Sequence, residues 1–299
     1  MASVICLDTK LSGHEGSVAA YLIPYSGGAV LIDAGPGSTQ ENLKFALANY
    51  GLVPGQVTHV LLTHLHLDHA GAAGWLAGYG AQIYAHPIGI PHLVNPKKLV
   101  ASARRVYSDK LDELWGAFLP VPVAHLVEVR DEAEIAIGEL RITGLYTPGH
   151  AEHHVTYVFQ DTCFTGDVGG VRKQESLYVR LPFVPPETHL GKWRNSLERI
   201  RQTGCKRLAL AHFGIYEDAD VHLTFAGRVL DEVEQWLETV MPDVPDVETL
   251  QRIYVAWMHT RDHAMGLDES ALLAYDLASP AQMGAGGLFR YWHKVRMAE

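Results

Sequence analysis

Residues 63–71 read THLHLDHAG, so three histidines (His64, His66, His69) and Asp68 crowd into one short stretch. Burying a polar ring without a partner costs about 1–3 kcal/mol, so close packing alone does not account for this density. A shared ligand does. The apolar run VTHVLLTH (57–64) predicts a strand that delivers the chain into this loop, and the small residues AGAAGWLAG (70–78) predict a helix leaving it. His64 and His66 are two apart, so on extended backbone both side chains face one way while Leu65 and Leu67 face the core. Asp68 and His69 follow where the chain turns into the helix, and they address a second point a few ångströms away.

Three further donors stand where apolar runs end: His150 after LYTPGH, Asp167 at the close of CFTGD, and His212 within LALAHFG. In α/β folds, strand ends are where loops converge and reactive groups collect. Two divalent ions about 3.5–4 Å apart need a bridging carboxylate and donors from both sides. Asp167 is the natural bridge. The expected assignment gives His64, His66 and His150 to one metal, Asp68, His69 and His212 to the other, and Asp167 to both.

The order THLHLDHAG, TPGH, FTGD, AHFG resembles the metallo-β-lactamase superfamily, over about residues 1–215. The resemblance implies an α/β fold of the αββα sandwich type and a dinuclear metallohydrolase of the glyoxalase II-like ligand pattern, with every ligand position occupied. It leaves the substrate open, because members cleave thioesters, lactones, β-lactams and phosphodiesters.

The rest of the chain fits that frame. Short β-branched runs alternate with helical stretches: strands at SVAAYLIPY and AVLIDAG around the Gly27-Gly28 turn, a helix capped by Ser38 and stopped by Gly51, a strand at AQIYAHP, and a helix over 97–118. The alternation resumes from about Leu126. Beyond residue 215 the character becomes helical, so residues 1–215 are expected to form the catalytic domain and 216–299 a helical extension, either a lid or a dimerisation element. Pro242 and Pro245 break that extension, and ASPAQMGAGGLFRYW (278–292) reads as a surface loop before a last short helix.

Composition narrows the function classes. With 299 residues and 47% hydrophobic content the chain can bury a large core. A formal charge of -10 disfavours nucleic acid and anionic membranes. The start MASVICLDTK lacks the pattern of a signal peptide, no apolar run reaches the length of a membrane span, and the cytoplasm is the expected location. Cys6, Cys163 and Cys205 form no CxxC pair and are expected to be reduced, buried small hydrophobes.

Other candidates are weighed against structural roles. Asp33, closing VLID, is expected to anchor a metal-bound histidine from behind. Arg172, Lys173, Tyr178 and Arg180 follow Asp167 and are candidates for an anionic substrate tail; His154 is a candidate for a substrate oxygen. His259 and His263 sit four apart, but Thr260 replaces the glutamate a zinc-protease helix needs, so a surface pair is expected. GPGS (35–38) is a turn, and Trp236, Leu237 and Val240 are a core stripe.

The sequence therefore points to a small-molecule hydrolase of thioester or lactone type, acting through a metal-bridging hydroxide, with Asp68 also orienting that nucleophile or moving its proton. Zinc is the expected ion because no thiolate is present; iron and manganese also suit the donors. The alternatives are a phosphodiesterase or nuclease, and an iron-dependent oxidative enzyme. A homodimer is the expected assembly if the extension is an interface.

Overall fold

The computed structural model describes residues 3–173, 176–244 and 246–298, so Pro245 lies outside the described residues. Among the described residues, twelve strands form two six-stranded sheets. The first sheet runs in sequence order: β1 (Ile5–Asp8), β2 (Ala19–Tyr25), β3 (Gly28–Ile32), β4 (Val57–Leu61), β5 (Gln82–Ala85) and β6 (Leu126–Glu128). The second comprises β7 (Ala133–Ile137), β8 (Leu140–Tyr146), β9 (Val155–Phe159), β10 (Thr162–Val171), β11 (Arg207–His212) and β12 (Gly214–Tyr216), also side by side in order.

The pairs β3/β4, β4/β5, β5/β6 and β10/β11 are parallel, and the other neighbours pair antiparallel. A parallel pair needs a crossover, and helices supply it. On the first sheet these are α1 (Gln40–Ala48), α2 (Leu67–Ala70), α3 (Ala73–Ala77), α4 (Ile90–Val94), α5 (Lys97–Tyr107) and α6 (Leu111–Trp115). On the second, α7 (Leu190–Gln202) joins β10 to β11. Beyond β12 come α8 (Ala219–Val240), α9 (Val247–Ala264), α10 (Glu269–Ala278) and α11 (Ala281–Tyr291).

Alternating residues of the two sheets interdigitate to make the central core. Tyr21, Ile23, Val30, Ile32 and Leu61 from the first meet Ile135, Ile142, Val155, Tyr157 and Phe164 from the second. Each fully buried aliphatic or aromatic side chain contributes about 1.5–3 kcal/mol. Two phenols stitch the layers: Tyr21 donates to the Leu210 carbonyl at 2.6 Å and Tyr157 to that of Leu62 at 3.0 Å. Helices cover both outer faces, giving the expected αββα sandwich.

Three local expectations are corrected. Ser38 does not cap α1: its hydroxyl donates to the Leu114 carbonyl at 2.6 Å, and a 3-10 turn over Gly37–Thr39 precedes the helix. The long helix over 97–118 is split at Ser108, whose φ of 48° is incompatible with continued helix. The stretch 278–292 is not a surface loop but carries α11, whose Gly284, Ala285, Gly287 and Leu288 are buried against α9 and the loop after β10. A Cβ on Gly287 would sit 2.7 Å from the Phe183 carbonyl oxygen, so this glycine serves close approach rather than a turn.

The helices from α8 onward are not an appendage. Leu223, Leu230, Leu237, Leu250, Tyr254 and Leu288 share one core with Cys163, Val168, Trp193 and Leu210 of the second sheet and α7. Leu237 is buried in that core, and Trp236 and Val240 pack against it.

Candidate metal centre

Four chain segments converge at one edge of the sandwich. The first sheet sends the chain that leaves β4, with His64 and His66 in the loop and Asp68 and His69 on α2. The second sends His150 from the loop between β8 and β9, Asp167 from within β10, and His212 from the end of β11. Asp167 reaches the edge because β10 is irregular between Phe164 and Val171, where its register against β11 shifts. Gly166 makes that bend with φ 47°; a Cβ there would lie 2.6 Å from His154 Nε2 and 2.7 Å from Thr63 Oγ1.

The donors form two adjoining groups: His64, His66, His150 and Asp167 in one, Asp68, His69 and His212 in the other. In the first, His66 Nδ1 lies 2.9 Å from both His64 Nε2 and His150 Nε2, and Asp167 Oδ2 lies 3.2 Å from His150 Nε2 and 3.9 Å from His64 Nε2. In the second, Asp68 Oδ2 lies 3.4 Å from both His69 Nε2 and His212 Nε2. Asp167 turns its other oxygen, Oδ1, to that group, 3.3 Å from each of the same two nitrogens. One carboxylate thus faces both groups, one oxygen to each.

The far ring nitrogens explain how the imidazoles are aimed. His150 Nδ1 donates to the Pro182 carbonyl and His212 Nδ1 to that of Ser17, each at 2.8 Å. His69 Nδ1 donates to Asp33 Oδ2 at 2.9 Å. Thr63 Oγ1 donates to the same Oδ2 at 2.8 Å while lying 3.1 Å from His64 Nδ1. Asp33 therefore sets the tautomer of His69 directly and of His64 through Thr63, and its Oδ1 also takes the Thr63 amide at 2.7 Å. These bonds hold a non-glycine backbone at φ 58°, a conformation that costs on the order of 1 kcal/mol or more. Asp33 lies behind His64 and His69, on the side away from their Nε2 atoms.

Burial, acting on a site with several imidazoles side by side, pushes the basicity of His64, His66 and His150 down. Burial opposes the charged form of His69 and His212 too, but carboxylates outweigh it. Asp68, Asp167 and Asp33 hold His69 well above the ordinary range, and Asp167 and Asp68 bring His212 up to about 9. Asp68 and Asp167 are held low in turn by their histidines, against the effect of burial.

Do these residues fit a metal? His69 Nε2, His212 Nε2 and Asp167 Oδ1 are buried without a hydrogen-bond partner, although they lie near one another. Unanswered buried atoms are rare and call for an explanation. Here the two imidazoles are aimed at the Asp167 oxygen's side of the site by hydrogen bonds on their far nitrogens, which is what a coordinated cation requires. Five imidazoles and two carboxylates without thiolate suit zinc and also accept iron or manganese.

The substrate candidates fare differently. Arg180 is buried and paired with Asp262 at 2.7 Å and Asp276 at 2.5 Å, and Tyr178 hydrogen-bonds Asp262, so both serve the docking of α9 and α10. Arg172 is taken by Asp218 at 2.7 and 3.0 Å and stacks on Tyr216. His154 is fully buried behind His64, with Nδ1 2.8 Å from Thr147 Oγ1, and so does not reach a cleft. These four expectations are corrected: each side chain is committed within the fold. Lys173 differs: among the described residues its Nζ bonds the Gly16 carbonyl alone, at 2.5 Å, one residue from the carbonyl that holds His212. Its burial lowers its pKa to about 8. His259 and His263 are exposed on α9 and belong to no metal-holding group among the described residues.

Two features were missed by sequence reasoning. Thr63 carries the Asp33–His64 link, and its place beside His64 was the available signal. Tyr107, at the end of α5, is close enough to Asp68 to feel its charge, which adds to burial in raising the phenol; its hydroxyl also lies 3.9 Å from Met283 Sδ on α11. No motif marks it. His153, with its ring 6.1 Å from that of His66, lines the same region.

Comparison with known proteins bears on the family and the fold. The family described as the metallo-beta-lactamase superfamily matches residues 14–212. Metallo-beta-lactamase fold-containing protein ST1585 of Sulfurisphaera tokodaii is 30% identical over 190 residues, 62% of this chain and 69% of that protein. Its crystal structure superposes with a TM-score of 0.66 at 25% identity, over 77% of this chain and 87% of that one. An atrochrysone carboxyl ACP thioesterase of Aspergillus fumigatus is 24% identical over 216 residues, 70% of this chain but only 56% of the relative's length. The structure of TTHA1429, a metallo-beta-lactamase family protein of Thermus thermophilus, shares the fold across 97% of this chain and 93% of its own, with a TM-score of 0.66 at 20% identity.

Proposed function

The chain belongs to the metallo-beta-lactamase superfamily of hydrolases, and from that premise we propose that it cleaves a small-molecule ester-like bond, a thioester or lactone, with two divalent ions, zinc first among them. The observation that carries the reading is the pair of adjoining donor groups that share Asp167. A broad basic face of the kind a nuclease uses is not favoured by a formal charge of -10. The relative named as a thioesterase supports the thioester arm.

In this reading His64, His66, His150 and Asp167 hold one ion and Asp68, His69, His212 and Asp167 the other. Bound cations supply Lewis acidity and acidify water near neutral pH. The protein's own part is to present deprotonated donors. Nδ1–H donation to Asp33, Pro182 and Ser17 leaves Nε2 lone pairs on His69, His150 and His212 facing inward. Asp68 is more open to solvent than the other donors of its group, with its side chain 17% exposed, so its carboxylate is placed to orient the attacking water and to accept its proton. Lys173 is the remaining cation suited to a substrate anion, and the small substrate is the expected partner.

The test is metal-replete expression, elemental analysis, and a hydrolysis screen across thioesters, lactones, β-lactams and phosphodiesters, with Asp167→Ala as control. Close to two ions per chain and turnover of thioester or lactone that disappears in the variant are expected. Turnover of phosphodiesters alone, or an ion content of one or none, would overturn the reading.

A further inference from the structure

Cys163 and Cys205, 42 residues apart in sequence, meet on the helix-covered side of the second sheet. Cys163 is the second residue of β10 and fully buried; Cys205 is half-buried in the turn between α7 and β11. Their thiols lie close enough to shift one another's hold on a proton. Thr203, just after α7, joins them: its Oγ1 lies 3.3 Å from Cys163 Sγ and accepts the Cys205 amide at 3.2 Å. The third cysteine, Cys6, stands on β1 of the other sheet, where burial pushes its thiol up to about 12.

The pair is asymmetric. Cys205 is open to solvent on one side, whereas Cys163 is enclosed. The neighbouring Cys163 thiol favours a thiolate at Cys205 against the effect of burial, while burial and that same neighbour push Cys163 up, so it keeps its proton. A partly exposed low-pKa thiolate beside a protonated buried thiol is the arrangement of an attacking and a resolving cysteine.

We propose that Cys163 and Cys205 form a modification site at which a hydroperoxide closes a reversible disulfide, independently of the hydrolase reading. The Cys205 thiolate attacks one oxygen of hydrogen peroxide; the O–O bond breaks, the Cys205 sulfur is oxidised to sulfenic acid, and the departing hydroxide takes a proton from solvent to leave as water. Cys163 sulfur then attacks the Cys205 sulfur, the S–OH bond breaks, and hydroxide leaves as water with the Cys163 proton. The two thiols lose two electrons and the peroxide gains them. The bond would clip the start of β10 to the entry of β11, the strands that carry Asp167 and His212, about 13 Å upstream of Asp167 at the strand rise.

The metal-loaded full chain is treated with equimolar hydrogen peroxide, quenched with N-ethylmaleimide in denaturant and mapped by peptide mass. Linked Cys163 and Cys205 peptides, an alkylated Cys6, reversal by dithiothreitol and a Tm raised by about 5 °C are expected. Before oxidation, iodoacetamide at neutral pH should label Cys205 about tenfold faster than Cys6. Because Cys163 is packed, the half-buried Cys205→Ser variant guards against a folding artefact: it should leave Cys163 reduced at the same dose, while Cys163→Ser should leave a dimedone-reactive sulfenic acid at Cys205. Cys205 running to sulfinic acid without a cross-link, or Cys6 reacting first, would overturn the proposal.

Discussion

Asp33 sits behind the candidate centre and orients two of its histidines, His69 through Nδ1 and His64 through the hydroxyl of Thr63. Asp33→Ala should therefore weaken metal binding by about 10–100-fold, as losses of such supporting groups do, read by competition with a chelator; unchanged affinity would show that His64 and His69 are aimed by packing alone. His222 offers a second test at this scale. Its Nε2 donates to the Gly169 carbonyl at 2.7 Å, and burial lowers its pKa to about 4. Because the unfolded chain takes up this proton near 6.5 and the folded chain near 4, stability is held above pH 6.5 and falls as the pH drops toward 4. His222→Gln keeps an amide donor and removes the titration, so its Tm should decline less over that window, by the equivalent of at most about 3 kcal/mol. A parallel decline would assign the acid sensitivity elsewhere. The seven donors were legible in the sequence because metal chemistry restricts which side chains can serve. The Pro182 and Ser17 carbonyls that aim His150 and His212 were not, since every residue carries a carbonyl.

Among the secondary elements, α11 shows how a correct composition can mislead. Gly284, Gly286 and Gly287 read as loop because glycine breaks helices in isolation, and only the packed neighbours reveal why it is there. Gly287 faces the Phe183 carbonyl, and Gly284 would place a Cβ 2.9 Å from the Tyr254 ring. Gly287→Ala should cost about 1–3 kcal/mol by overpacking. Gly227→Ala on α8, where a Cβ meets nothing within 4 Å, should instead gain about 0.5–1 kcal/mol. Denaturant midpoints of the two variants should move in opposite directions; a shift of the same sign would remove the packing account of α11. The strands were easier to find, because two-fold alternation and Gly-containing turns leave a local signal. The split of α5 from α6 at Ser108 accompanies a close approach of residues 115–117 to the turn at Gly37, which no local pattern encodes.

At the scale of the whole molecule, the C-terminal helices are tied to the catalytic sandwich by charge as well as by apolar packing. Arg180 joins Asp262 of α9 and Asp276 of α10, and Asp262 is fully buried. Sequence reasoning sent Arg180 to the substrate because a cation after Asp167 has no visible partner until the fold brings residue 262 beside it. Arg180→Met leaves Asp262 unpaired and should cost about 3–5 kcal/mol, with faster protease cleavage within 247–291. Arg104→Ala, which breaks an exposed pair with Asp112, should cost under about 1 kcal/mol. Equal costs would mean that the buried network does not hold the helices. No described helix is long and apolar enough to cross a membrane. Finally, since each oxygen of Asp167 answers to a different group of donors, the centre behaves as one object rather than two neighbours. Whatever nudges that stretch of β10 disturbs both halves in step, so with both halves filled as proposed, damage there should empty them together, leaving little half-filled enzyme behind.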